Sequence, residues 1–150
     1  MQKKKLMNKT SMKRTTLCIG LLMAAVSITA GEPFRGTFKG EELKITLEIN
    51  LYEEDVKVPG MEMFGPMNGY LRGTDLYCTW YVSSVQQATD NKASVHFSNE
   101  LGSETQAVEL TLKDDSLLTL RQTGGSVLKK VVGKKLQKLP NEITFKRVDK

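Results

Sequence analysis

The sequence predicts an all-β protein, an antiparallel up-and-down β-barrel of about eight strands, with a β-sandwich as the alternative. Three observations carry that expectation. Residues 43–52 alternate without interruption, with Leu43, Ile45, Leu47, Ile49 and Leu51 on one side and Lys44, Thr46, Glu48, Asn50 and Tyr52 on the other. Such period-two alternation marks a half-buried antiparallel strand, because successive side chains of an extended chain leave opposite faces. Shorter stretches repeat the pattern, and turn-forming residues separate them at intervals of about 8–12 residues, which leaves no room for helical crossovers.

In chain order, residues 1–30 stand apart. Lys3, Lys4, Lys5, Lys9, Lys13 and Arg14 precede any acid, an apolar run extends from Leu17 to Ile28, and the small residues Thr29, Ala30 and Gly31 end it. A basic segment, a short apolar core and a small-residue exit make the pattern of a secretory signal peptide. At about 12 residues the run is shorter than the roughly 20 a bilayer-spanning helix needs, so no transmembrane segment is expected. The expected division is a signal peptide over 1–30 and a single β-barrel domain over 31–150, exported to the periplasm or outside the cell.

Within that domain a first strand is expected over 34–39, followed by the alternating strand 43–52. The connection between Glu53 and Gly69 is long for a hairpin loop. It contains Val58-Pro59-Gly60 and Phe64-Gly65-Pro66, but also Met61, Met63, Phe64 and Met67, too apolar for disorder. It is expected to fold over one end of the sheet structure. Leu76, Cys78, Trp80 and Val82 share the next face, as do Val95 and Phe97; Val108, Leu110 and Leu112; Leu118 and Leu120; and Ile143 and Phe145. Turn signals lie between them at Gly73-Thr74-Asp75, Asp90-Asn91, Asn99 to Gly102, Asp114-Asp115, Gly124-Gly125 and Pro140-Asn141. The stretch 126–139 reads two ways. Leu128, Val131, Val132, Leu136 and Leu139 have helical spacing, whereas Gly133 and the β-branched valines favour a strand that bends at Gly133. The strand is the stronger expectation.

Charge and cysteine usage exclude several function classes. The chain has 22 basic and 17 acidic residues; without residues 1–30 the balance is 16 against 17. The basic character thus belongs to the leading segment, and the footprint of a nucleic-acid-binding domain is missing. Cys18 lies in the apolar run, which leaves Cys78 alone in the domain and excludes an internal disulfide or a multi-cysteine metal site. A domain of about 120 residues can be held by its core.

Gly36-Thr37-Phe38 lies on the first expected strand, and Phe145-Lys146-Arg147 ends the last. This arrangement resembles that of lipocalins and other calycin-like barrels, which open with Gly-x-Trp and, in lipocalins, set a basic residue near the last strand across that Trp. Gly36, Phe38 and Arg147 stand in the matching places, with Phe38 in place of the Trp. The resemblance implies a barrel that takes a small ligand. The overall layout also resembles small secreted proteins of gut Bacteroidetes. That likeness makes Ser116, in Asp115-Ser116-Leu117, a candidate acceptor for their periplasmic O-glycosylation.

Catalysis finds few components. Cys78 and His96 are the only thiol–imidazole pair in the domain, but Cys78 shares the apolar face with Trp80, while His96 is out of phase with Val95 and Phe97. No Gly-x-Ser-x-Gly elbow occurs, and the acidic runs Glu53-Glu54-Asp55 and Asp114-Asp115 fall in expected turns. No enzyme activity, catalytic residue or cofactor is expected. One His and one Cys do not make a zinc site. The thioethers of Met61, Met63 and Met67 suit Cu(I), but beside Phe64 they read as filler of an irregular apolar surface, so no metal is expected either.

Binding remains. The expected function is a secreted, non-enzymatic, lipocalin-like binding protein for a small apolar or amphipathic ligand, contacted by Met61, Met63, Phe64, Met67, Tyr70 and Trp80. The alternative is a protein-interaction module of the envelope or extracellular space. It has a filled core and uses loop 53–69 and the lysines at 129, 130, 134, 135 and 138. A small hydrophobic ligand or a protein is the expected partner; nucleic acid is not.

Overall fold

The alternating stretches form ten strands, and which of them stay in one sheet depends on where the turns fall. In the computed structural model, which describes residues 31–148, the strands are β1 (Arg35–Gly40), β2 (Ile45–Asn50), β3 (Gly69–Gly73), β4 (Trp80–Ala88), β5 (Lys92–Asn99), β6 (Thr105–Lys113), β7 (Leu117–Gly125), β8 (Lys129–Val132), β9 (Lys135–Lys138) and β10 (Glu142–Arg147). Strands β1 to β7 lie side by side in chain order. β10 fits between β7 and β1, closing an eight-stranded antiparallel barrel, and β8 and β9 form a separate two-stranded sheet. The expected signal peptide over 1–30 lies outside the described residues. Among the described residues no helix is long and apolar enough to cross a membrane.

Local chemistry sets the strand ends. The alternation over 43–52 shortens to β2 because Lys44 takes a positive φ of 55° in the β1–β2 turn. At the other end the buried Asn50 side-chain oxygen accepts the main-chain N–H groups of Tyr52 and Glu53, and its amide donates to Asp55. Asn99 acts alike after β5, accepting from the N–H groups of Ser103 and Glu104. Such Asn turns give the backbone an alternative to the sheet ladder. The ambiguous stretch 126–139 is a hairpin: Val132 pairs with Lys135, and Gly133, at φ 63°, opens the two-residue turn. A two-residue hairpin turn with Gly first is the II′ arrangement, whose twist matches that of the flanking strands. This is why the chain reverses where the sequence suggests only a bend.

Inward positions meet in one cluster that includes Phe34, Phe38, Trp80, Phe97 and Phe145 together with the aliphatic residues of every barrel strand. Antiparallel order assigns the connections to two ends. The first end carries the start of β1, the long loop after β2, and the β4–β5 and β6–β7 turns. The second carries the β1–β2, β3–β4 and β5–β6 turns and the β8–β9 hairpin.

Two seams are thin. β1 meets β10 through two register pairs, Phe38–Arg147 and Lys39–Lys146, and β3 meets β4 through Tyr70–Tyr81 and Leu71–Trp80. Each is reinforced from outside the ladder. At the β1–β10 seam the Arg147 guanidinium lies 4.5 Å from the Phe38 ring centroid and donates to the main-chain oxygens of Asp115, Arg35 and Pro33 at 2.7, 2.8 and 2.7 Å. Beyond the β3–β4 seam, β8 lies along the connecting turn. Tyr77 N–H donates to Lys129, and Val131 N–H to Asp75.

Candidate binding surfaces

Because an eight-stranded barrel has an interior just wide enough for side chains or for one small ligand, the lumen is the first place to look for a ligand. Trp80 is fully buried there, its indole N–H donating to the Tyr77 carbonyl at 3.2 Å. Near the second end the lumen turns polar. Gln122 accepts from Gln106 Nε2 at 2.7 Å and from Leu128 N–H at 2.8 Å, and donates to the Pro140 carbonyl at 3.0 Å. One side chain thereby ties both roots of the β8–β9 hairpin to β7. Gln106 is only 2 % exposed, and its Oε1 has no partner.

The six residues expected to form one ligand site occupy three places. Met61, Met63, Phe64 and Met67 belong to the long loop at the first end. Met61 is buried, Met67 is half-buried beside its bridge to Val56, and Met63 and Phe64 are 87 % and 66 % exposed on a short 3-10 turn. Buried Val56, Val58 and Met61 lie outside the barrel cluster. The loop is thus folded, as its apolar content suggested, but it presents two large apolar side chains to solvent. Tyr70 faces outward from β3, opposite Tyr81, and its hydroxyl donates to Glu48 at 2.9 Å. Burial, and then that bond, push its phenol up to about 12. Trp80 points into the lumen. Tyr70 follows the loop closely in sequence, yet strand alternation makes Leu71 the inward residue.

A groove of about 450 Å³ on the outer face of β2 and β3 is lined by Lys44, Thr46, Tyr70, Arg72, Gly73 and Thr74. Among the described residues no carboxylate pairs with Lys44 or Arg72. The groove is therefore rich in donors and suits a small oxygen-rich molecule. Its sequence signal was the outward half of the alternation, Lys44 and Thr46 against Tyr70 and Arg72.

The hairpin is the most basic element. Lys129, Lys130, Lys134, Lys135 and Lys138 fall within ten residues that contain no acid. Among the described residues none of the five pairs with a carboxylate, and Lys129 stands directly opposite Lys138. Every residue from Val131 to Lys138 is exposed, including Val131, Val132 and Leu136 at 44 %, 49 % and 47 %.

The groups that carry covalent chemistry are dispersed. Cys78 sits in the β3–β4 connection at a positive φ of 71°, and burial pushes its thiol up, away from the reactive thiolate. His96 points outward from β5, where Nδ1 lies 3.5 Å from Ser84 Oγ and 3.3 Å from the Gln86 amide. No carboxylate orients this solvent-facing imidazole among its hydrogen bonds. Among the described residues no group of three His, Cys, Asp or Glu side chains is placed to hold a metal ion. Comparison with family models, with curated proteins and with solved structures yields no match.

Proposed function

We propose that this protein is an exported, non-enzymatic binding module that makes its contacts with its outside. One observation carries this: large side chains pack the lumen, while five of the eight exposed large apolar residues among those described sit on the long loop (Met63, Phe64) and on the β8–β9 hairpin (Val131, Val132, Leu136). Exposed apolar patches of this kind mark contact surfaces in soluble proteins. The interaction module is thus favoured over the carrier of a small apolar ligand. Kinship with lipocalin-like barrels belongs to the same proposal, supported by Arg147 lying over Phe38. That kinship concerns architecture, and a barrel does not dictate what is bound.

A lumen ligand remains the second reading, favoured by the unpartnered Gln106 Oε1. Native mass spectrometry of the protein purified from its own cells separates the two. An adduct lost on Met63→Ser/Phe64→Ser or on Val131→Thr/Leu136→Thr supports outside contacts. A small apolar molecule that survives both substitutions and quenches Trp80 overturns them.

A further inference from the structure

We propose that the β8–β9 hairpin is a docking element for anionic lipid, resting at the headgroup level of a negatively charged membrane surface. The inference rests on the outside-binding reading and names the partner of one of its two surfaces. An ordinary protein surface strand shows one face to water and buries the other. Here Val131–Lys138 is exposed on both faces, and a two-stranded ribbon with no packed face is marginal in water. Its roots are fixed by buried Leu128 and Leu139 and by the three hydrogen bonds of Gln122, and the backbone edge of β8 is held by the bonds to Tyr77 and Asp75, which leaves both faces and the β9 edge uncovered.

The register places Lys129, Val131, Leu136 and Lys138 on one face, and Lys130, Val132, Lys135 and Gln137 on the other. Cations and aliphatic side chains therefore share both faces of the ribbon. A rigid protein partner covers one face of a ribbon, whereas a fluid lipid interface can meet both faces and the free β9 edge. Lysine stems lie along apolar surface while their ammonium groups reach phosphate, so lysines beside valine and leucine are suited to that depth. Like charges directly opposite, as at Lys129 and Lys138, destabilise a free hairpin; anionic headgroups turn the same pair into a contact. Edge lysines also discourage sheet-to-sheet aggregation. That role needs one or two on the free edge of β9, and it does not account for Lys129, Lys130 and Lys134.

The test is co-sedimentation of the full chain with vesicles of phosphatidylcholine containing three-tenths phosphatidylglycerol, and with pure phosphatidylcholine. Residues 1–30 carry six bases of their own, so the readout is the difference between full-length chains that differ only in the hairpin. Each lysine near an anionic surface is worth roughly fivefold in partitioning. Lys134→Gln/Lys135→Gln should therefore weaken binding to the anionic vesicles about 25-fold, and Val131→Thr/Leu136→Thr should weaken it several-fold. Lys92→Gln/Lys113→Gln, at the opposite end, should change it little. Unshifted Trp80 fluorescence verifies the fold in each. Equal binding of wild type and both hairpin variants overturns the inference. So does wild-type binding that is as strong on neutral vesicles. If vesicles are ignored while a photo-crosslinker at position 136 captures a protein, lipid docking fails and outside binding stands. If nothing is captured there or at position 64 either, both fail.

Discussion

Replacing Arg147 by Ala probes the closure of the barrel directly. The side chain contributes three hydrogen bonds to main-chain oxygens and a guanidinium face over Phe38. A hydrogen bond involving a charged group contributes about 1.5–3 kcal/mol when buried, and a cation over a ring about 0.5–2 kcal/mol. The bonds to Asp115 and Arg35 are exposed and only that to Pro33 is partly buried, so water recovers much of the loss. The expected cost is about 3 kcal/mol, or roughly 12 °C in Tm for a domain of this size. Arg147→Lys keeps the charge but loses the planar fork, and should recover less than half. Urea unfolding followed by Trp80 fluorescence measures both, with the denaturant slope unchanged if the same surface is exposed. A loss under about 0.5 kcal/mol for the Ala variant, or full rescue by Lys, would refute the closure role.

The remaining expectations concern polar, backbone and titrating groups. Gln122→Met strands Leu128 N–H, the Pro140 carbonyl and Gln106 Nε2 and should cost about 3 kcal/mol. Gln106→Met removes an unpaired acceptor and should be nearly neutral; equal losses in denaturant unfolding would contradict the network. Gly69→Ala should cost more than about 2 kcal/mol, since φ is 152° and a Cβ there would overlap the Glu48 main-chain oxygen; wild-type stability would show that the strand contact yields. Lys39→Glu places an acid opposite Lys146 and should stabilise by about 0.2–1 kcal/mol, less at high salt; a lowered Tm counts against the register. Tyr70 is pushed up from 10.0 to about 12. The unfolded state therefore loses this proton first, and stability should fall as pH rises from 10 towards 12. A phenol absorbance step near 12, abolished by Tyr70→Phe, is the check; complete titration of the folded protein by about pH 11 would count against it.

How much was legible follows from the range of each interaction. Period-two alternation is a local property that records which face is buried, so β2, β6, β7 and β10 could be read from Ile45–Ile49, Val108–Leu112, Leu118–Leu120 and Ile143–Phe145. Strand ends were less clear. The Asn50 and Asn99 turns work through side-chain bonds to residues up to five positions later, and nothing in composition separates them from other turn asparagines. At 126–139 the helical spacing of Leu128, Val131 and Leu136 was accidental, and Gly133 decided the outcome through its positive φ. The candidate site was least legible. Met63 and Phe64 read as ligand-contacting residues until the fold leaves them exposed and apart from Trp80, and the carbonyl partners of Arg147, unlike its place across Phe38, lie up to 114 residues away and leave no local trace.

The short β1–β10 ladder also sets the timing of folding. β10 is the last barrel strand to be synthesised, and its partner β1 is the first. Until it arrives, β1 and β7 keep bare edges, and Arg147 cannot reach the Pro33 and Arg35 carbonyls. Closing so distant a contact is slow, because the entropy of the intervening chain must be overcome before the contact stabilises anything. A nascent chain therefore stays an open sheet until β10 has been made, and becomes a barrel in one step after it.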